Sequence, residues 1–270
     1  MSLWSHRRAR ALMLVGASLV VALTAGCGNA PKNPRDMTAE EVYADARAEM
    51  DAGSYEAAIR GFARVEALGA GSLIAQQAQL DLAYVQWRQG ERELSLATLD
   101  RFIKFNPSSP AFDYALYLRG LVNFNDNLGF LSSISRQDLS ERDQQASRDA
   151  FQSFKQLVDQ FPDSKYAPDA SLRMAYIVNA LASHEVHVAR YYYRRNAFVA
   201  AANRAQRAVS EFQNSPSSEE ALYILAQSYD QLGLVELRDG ADRVLKQNFP
   251  NSRFLTDGVR EVEKAWWQFW

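Results

Sequence analysis

The stretch Thr38-Ala-Glu-Glu-Val-Tyr-Ala-Asp-Ala-Arg-Ala-Glu-Met-Asp-Ala-Gly-Ser-Tyr-Glu-Ala-Ala-Ile-Arg-Gly-Phe62 carries the signals for two consecutive helices. Its first four residues form a capping box, in which the Thr38 hydroxyl and the Glu41 carboxylate each satisfy an unpaired backbone N–H. We therefore expect one helix from this box to about Asp51 and a second from Tyr55. In the second helix, Ala58 is small enough for two helices to approach closely, and Phe62 fills the space one turn later. The stretch predicts a packed helix pair.

The same pattern returns along the rest of the chain. Four segments combine an aromatic residue that closes a helix, a helix breaker and a serine suited to capping the next helix. They are Phe105-Asn-Pro-Ser108, Phe161-Pro-Asp-Ser164, Phe212-Gln-Asn-Ser215 and Phe249-Pro-Asn-Ser252. Counting back from them gives equivalents of Ala58 and Phe62 in Ser95 with Leu99, Ala150 with Phe154, Ala201 with Ala205, and a degenerate last copy, Arg238 with Asp242.

From Thr38 onward the apolar residues recur at helical spacing, with almost no alternating β pattern. The small-residue and aromatic spacing resembles the second helix of a tetratricopeptide repeat. This resemblance implies an all-α, right-handed α-solenoid of five helix pairs plus a C-terminal helix over residues 38–270. The intervals between the closing aromatics exceed the usual ~34 residues, so the middle units should contain insertions or long helices. The main insertion, residues 126–141, is apolar at Leu128–Ile134. We expect it to fold back on the repeats, with a partner contact as the alternative.

The N-terminus has the three parts of a secretory signal. His6–Arg10 is basic, and Ala11–Leu23 is apolar but too short for a transmembrane helix of ~20 residues. Leu23-Thr-Ala-Gly-Cys27 resembles the lipobox of bacterial lipoproteins, in which the cysteine thiol takes a diacylglycerol, although Thr24 stands where an aliphatic residue is preferred. Residues 1–26 are therefore predicted to be a lipoprotein signal peptide, and residues 27–37 a lipidated cysteine with a flexible tether. The alternative is an ordinary signal peptide in which Cys27 is incidental.

The same resemblance predicts the location of the chain. Gly28 follows the cysteine in place of the aspartate that favours retention in the inner membrane. The expected location is therefore the periplasmic face of the outer membrane, with the protein held there by its lipid anchor.

Composition and motifs argue against several classes of function. The 270 residues include 30 basic and 32 acidic side chains, which gives a net charge of −2 and no electrostatic surplus for nucleic acid. A single cysteine excludes internal disulfides and zinc sites built on several thiolates. His184-Glu-Val-His187 places two imidazoles on one helix face, but lacks the i, i+4 spacing of a zinc protease. Two helix histidines are the favoured interpretation, and a lipid-anchored metallohydrolase is the alternative. We predict no enzyme, no metal and no cofactor besides the diacylglycerol and N-acyl chain on Cys27.

Two aromatic pairs suggest a peptide-binding surface. Tyr84 with Trp87, and Tyr114 with Tyr117, lie one turn apart on the first helices of pairs two and three. In a tetratricopeptide solenoid these helices line the concave side, where aromatic rings can clamp an extended peptide. The four residues are candidates for binding substrate, and membership of the core is the alternative interpretation.

Five segments in order resemble the BamD family, the tetratricopeptide-repeat lipoproteins of the outer-membrane β-barrel assembly machine. They are Leu80–Tyr84, Asp100–Pro107, Asp113–Leu121, Arg142–Phe151 and Tyr191–Ala200. The resemblance implies a scaffold whose repeats in residues 38–163 bind unfolded outer-membrane proteins. Residues 164–270 would dock onto the POTRA domains of BamA, beside the other Bam lipoproteins. The implied BamA contacts are Arg204, Arg207, Phe198 and Tyr192. The tail Lys264–Trp270 departs from the family by its aromatic content.

A second interpretation stays within the same class of protein. Another outer-membrane tetratricopeptide lipoprotein could scaffold pilus assembly or peptidoglycan synthesis. The partner recovered with the chain would distinguish the two, since BamA identifies the first function and a secretin or penicillin-binding protein the second.

Overall fold

The computed structural model of the chain describes residues 36–124 and 144–257. These ranges form eleven α-helices and contain no strand. The helices are α1 (Ala39–Asp51), α2 (Tyr55–Leu68), α3 (Leu73–Arg88), α4 (Arg92–Phe105), α5 (Phe112–Asn123), α6 (Gln144–Gln160), α7 (Ala167–Arg194), α8 (Phe198–Glu211), α9 (Ser218–Gln231), α10 (Val235–Asn248) and α11 (Phe254–Asp257). They make five successive pairs followed by the short α11, so the predicted all-α fold of tetratricopeptide-like helix pairs is confirmed.

The described chain consists of two compact units, residues 36–78 and residues 79–257 without 125–143. In the first unit α1 packs on α2. The capping box is formed, since the Thr38 N–H donates to Glu41 Oε2 at 3.1 Å and the Glu41 N–H to Thr38 Oγ1 at 3.3 Å. Gly61 faces Ala46 so closely that a Cβ added to it would lie 2.6 Å from the Ala46 Cβ. Ala58 and Phe62 are fully buried beside this close approach, as predicted.

In the second unit, consecutive helices from α4 to α10 pack on each other, and α9 also contacts α7. The predicted small positions Ser95, Ala150 and Ala201 are fully buried. So are their partners one turn later, Leu99, Phe154 and Ala205. In the degenerate last copy Arg238 and Asp242 are half-buried, and Ala241 and Leu245 provide the apolar contact instead.

The turns after α4, α6, α8 and α10 repeat one hydrogen-bonded geometry. In each, a serine N–H bonds the carbonyl of the residue three before it, and the serine hydroxyl accepts the N–H of the residue two after it. These serines are Ser109, Ser164, Ser215 and Ser252. The first copy is shifted from the predicted register, because Asn106 takes the place of the later closing aromatics and Ser109, not Ser108, makes the bond. Phe105 is accordingly 69% exposed.

The long interval between Phe161 and Phe212 is explained by α7, which has 28 residues. Cys27, the tether, the insertion 126–141 and the tail Lys264–Trp270 lie outside the described residues. The division of binding roles at residue 163 stays a prediction. Across the ranges described, no helix combines the length and apolar character needed to cross a membrane.

Candidate partner-binding surfaces

Arg204 of α8 forms an ion pair with Glu185 of α7. Its Nη1 lies 3.1 Å from Glu185 Oε2 and 3.4 Å from Oε1. The Glu185 side chain is only 2% exposed, whereas the Arg204 side chain is 36% exposed. The guanidinium therefore bridges a buried carboxylate and the solvent.

Arg207, one turn later on α8, extends this ion pair into a network. Its Nη1 lies 3.5 Å from Glu185 Oε1, and its Nε lies 3.8 Å from Glu211 Oε1. Glu211 in turn approaches Arg148 of α6 at 3.8 Å. Arg148 and Glu211 border an apolar cleft of about 250 Å³ whose walls include Phe151, Val178, Leu181 and Phe212. The two predicted contact arginines thus share one buried acid, Glu185, and Arg207 also pairs with the partly exposed Glu211.

The aromatic candidates near Arg204 lie around the turn between α7 and α8. Asn196 adopts a positive φ of 59° there, a conformation that asparagine tolerates better than most residues. Phe198 packs edge-on against Tyr193 with ring centroids 5.6 Å apart. Tyr192 is half-buried against the core of pairs four and five, and Tyr191 beside it is 51% exposed. Phe198 and Tyr192 are therefore partly accessible, and their predicted contacts with BamA stay a prediction.

The predicted substrate residues fall into two environments. Tyr84 and Trp87 form an edge-to-face pair 6.1 Å apart, and Arg88 donates to the Tyr84 hydroxyl at 3.1 Å. Both rings are half-buried at the border of the core formed by α3, α4 and α5. Tyr114 packs on the same core, and its ring lies 5.4 Å from that of Tyr166.

Tyr117 is held by several contacts. It stacks on Tyr166 at 4.8 Å, and its hydroxyl donates to Asp169 Oδ2 at 2.7 Å. Burial raises the pKa of Tyr117, and the hydrogen bond with the Asp169 carboxylate raises it further. Burial alone would raise the pKa of Asp169, but hydrogen bonds from Arg173 and Tyr117 and the charge of Arg173 lower it overall. Tyr117 is thus a packed and hydrogen-bonded residue with a partly accessible ring.

His184 and His187 lie nearer the surface than Glu185, the acidic residue between them. His184 is half-buried and His187 exposed, while Glu185 is directed into the interior. Among the residues that the structure describes, no three His, Cys, Asp or Glu side chains are grouped so that they could hold a metal ion. Sequence reasoning missed Glu185, although its spacing from Leu181, Ala182 and Ala189 places it on the apolar face of α7.

Successive helix pairs with partly accessible arginine and aromatic side chains define a helical-repeat protein of the tetratricopeptide type, a class that binds other proteins. Residues 35–245 match the family model YfiO, described as outer membrane lipoprotein. The chain is 41% identical over 262 residues, 96% of its length and 98% of the relative's, to outer membrane protein assembly factor BamD of Neisseria meningitidis serogroup A. It is 35% identical to the protein of that name from Xylella fastidiosa strain Temecula1, over 86% of this chain and 80% of the relative. The corresponding Vibrio cholerae protein is 30% identical, over 85% and 95%.

The chain belongs to this BamD family of outer membrane lipoproteins, and the resemblance found in the sequence is confirmed. Family membership also agrees with the predicted association with the outer membrane. It favours outer-membrane protein assembly over pilus or peptidoglycan scaffolding.

Proposed function

We propose that this protein is a non-enzymatic scaffold subunit of the outer-membrane β-barrel assembly complex. It binds unfolded outer-membrane proteins and docks onto the POTRA domains of BamA, beside the other Bam lipoproteins, and so promotes folding and insertion. The observation that carries the proposal is the sequence identity of 41%, over 96% of the chain, to a protein named outer membrane protein assembly factor BamD. The helical framework is consistent with a scaffold, because a helix offers no sheet edge on which an unfolded β-barrel strand could start to aggregate.

Docking is assigned to the surface around Arg204. A guanidinium can bind a carboxylate through two parallel hydrogen bonds, which gives geometric specificity that a lysine lacks. One Nη of Arg204 is engaged by Glu185, and the side chain remains 36% exposed. A carboxylate of BamA would bind the exposed part of the Arg204 guanidinium. Arg207, Phe198 and Tyr192 would surround this contact.

Substrate binding is assigned to the aromatic rings of the first helices of pairs two and three. Tyr84 and Trp87 present half-buried rings beside a basic side chain, Arg88. Such rings can pack against the alternate aromatic residues of an extended β-strand segment.

Lipidation of Cys27 would hold the scaffold at the periplasmic face of the outer membrane. Confinement to that surface raises the effective concentration of the scaffold near an embedded partner, without any additional contact. No cofactor is required for either binding role.

An affinity purification from detergent-solubilised membranes, followed by mass spectrometry, tests the proposal. Tagged full chain should recover BamA and the other Bam lipoproteins. The Arg204→Gln variant should recover much less BamA, while Arg243→Gln, which changes an exposed arginine of α10, should recover as much as the unchanged chain. Recovery of a secretin or a penicillin-binding protein in place of BamA would overturn the proposed function.

A further inference from the structure

We infer that Glu185 is a positioning residue, whose buried carboxylate holds Arg204 in the orientation that receives a carboxylate of an acidic partner protein. This inference rests on the docking role proposed for Arg204. It concerns how the contact is built, since Glu185 itself has almost no surface for a partner to touch.

The first argument comes from the repeats themselves. Arg204 stands eight residues before Phe212, the C-cap of α8. The residues eight before the equivalent caps Asn106, Phe161 and Phe249 are all short and buried. They are Thr98, Ser153 and Ala241, exposed by 6%, 1% and 8%. The helix pairs therefore pack at this position without a long charged residue, and packing alone gives no reason for an arginine there.

Glu185 departs from the repeats in the same way. It lies eleven residues before Asn196, which has a positive φ in the turn that ends the first helix of its pair. Gly90 and Gly233 occupy that turn position in pairs two and five, also with positive φ. Eleven residues before them stand Gln79 and Leu222, both buried and neither charged. The acid and the arginine thus occur together in the fourth pair.

The charges give the second argument. A buried carboxylate needs a cationic partner, and one arginine satisfies that need. Here both Arg204 and Arg207 approach Glu185, at 3.1 Å and 3.5 Å, so these three side chains carry a net charge of +1. The neighbouring Glu211 and Arg148 leave this sum unchanged, because they have opposite charges. The surplus positive charge lies on arginines that are 36% and 47% exposed, where an acidic partner can reach it.

This arrangement lowers the cost of docking. Arg204 is already ordered by Glu185, so a partner does not have to immobilise a long, freely rotating side chain. If binding of the partner's carboxylate weakens the ion pair between Arg204 and Glu185, Arg207 still neutralises Glu185. No buried charge is then left unpaired. An uncharged residue at position 185 would leave the guanidinium without this anchor.

A double-mutant cycle on the full chain tests the inference. The affinity for purified POTRA domains of BamA is measured for the unchanged chain, Glu185→Gln, Arg204→Gln and the double variant, with thermal melting as the check on folding. Glu185→Gln should weaken binding about 3- to 10-fold in the unchanged background, since the arginine must now be ordered on binding. In the Arg204→Gln background the same change should have a much smaller effect, because the only guanidinium left on Glu185 is that of Arg207, which Glu211 also holds. Glu185→Leu, which copies Leu222 of the next pair, provides a second variant and should show the same loss.

The outcomes separate the inference from the proposed function. If Arg204→Gln weakens binding and the folded Glu185 variants bind like the unchanged chain, the positioning role is overturned and the docking role stands. An equal loss in both backgrounds also overturns it, since that is the signature of a general structural contribution. If Arg204→Gln leaves the affinity unchanged, the docking role itself is overturned, and the inference with it.

Discussion

Arg190 of α7 and Glu220 of α9 are joined by two parallel hydrogen bonds, from Nε to Oε1 at 2.6 Å and from Nη2 to Oε2 at 2.7 Å. Their side chains are 28% and 15% exposed, so the pair is partly removed from solvent. It links the first helices of pairs four and five across the intervening α8. Such a two-bonded pair fixes the geometry between helices more tightly than a single contact.

We predict that Glu220→Gln lowers the free energy of unfolding by about 1–3 kcal/mol, because it removes charge-assisted hydrogen bonds and leaves Arg190 without its anion. Urea titration followed by circular dichroism measures this change. Lys155→Gln is the matched control. Its ion pair with Asp159 lies on the surface of one helix and contributes about 0.5 kcal/mol or less. Equal losses in the two variants would contradict the special role of the Arg190 pair.

Two glycines offer a paired test of packing. Phe154 of α6 lies directly on Gly120 of α5 and occupies the space of a Cβ, whereas nothing lies within 4 Å of a Cβ added at Gly240 of α10. Gly120→Ala should destabilise the protein by about 1–3 kcal/mol through overpacking. Gly240→Ala should stabilise it by about 0.5–1 kcal/mol, because alanine has the higher helix propensity. Thermal melting measures both changes, and a stabilised Gly120→Ala variant would refute the contact with Phe154.

The Asp169 carboxylate predicts an acid-sensitive contribution to stability. Its pKa in the folded chain is lowered from an ordinary value of 3.8. Because the pKa of Asp169 is lower in the folded chain than in the unfolded chain, its ionised carboxylate stabilises the folded state above pH 3.8. This stabilisation is lost as the pH falls through the pKa of the folded state. Asp169→Asn should therefore lower the urea midpoint at pH 7, and the difference from the unchanged chain should vanish on acidification below pH 3.8. Asp163→Asn, in the exposed turn before α7, should leave the urea midpoint unchanged both at pH 7 and in acid. A difference that persists in acid would show that charge is not the cause.

The parts of the fold that the sequence predicts are those with local signals. Thr38 and Glu41 specify a helix start within four residues, and Ala58 with Phe62 specify the face that packs, so both features agree with the structure. The local signals at Glu185 conflict, because its spacing from Leu181 and Ala182 places it on the apolar face of α7, whereas a glutamate between two histidines resembles a solvated helix surface. Its position depends on how α8 lies on α7, and the pairing of Arg190 with Glu220 depends on residues that are 30 positions apart.

The lipobox makes a prediction at a residue beyond those that the structure describes. Cys27→Ala should abolish incorporation of radiolabelled palmitate and release the protein from the outer-membrane fraction, because the thiol that would take the diacylglycerol is absent. Metabolic labelling and membrane fractionation measure both effects. Thr24→Leu, which restores the preferred aliphatic residue of the lipobox, should keep the label. A Cys27→Ala protein that remains labelled and bound to the membrane would refute lipidation at this residue.

The four aromatic candidates should behave differently because their environments differ. Tyr84 and Trp87 lie at the border of a core, whereas Tyr117 stacks on Tyr166 and bonds Asp169. A photoreactive amino acid at position 84 or 87 should therefore crosslink to an unfolded outer-membrane protein, with the melting temperature nearly unchanged. Tyr117→Ala should instead lower the free energy of unfolding, by up to about 3–5 kcal/mol if its ring is as important as a core aromatic.

The exposed Phe105 provides the control for this experiment, since it is an accessible aromatic on the second helix of its pair and has no predicted role in binding. The photoreactive residue at position 105 should give no crosslink to the same substrate. Crosslinking at 84, 87 and 105 alike would indicate unspecific contact with any accessible ring. If the chain is folded and no crosslink forms at 84, 87, 114 or 117, the aromatic surface has no role in holding substrate, and unfolded proteins must be bound elsewhere on the chain.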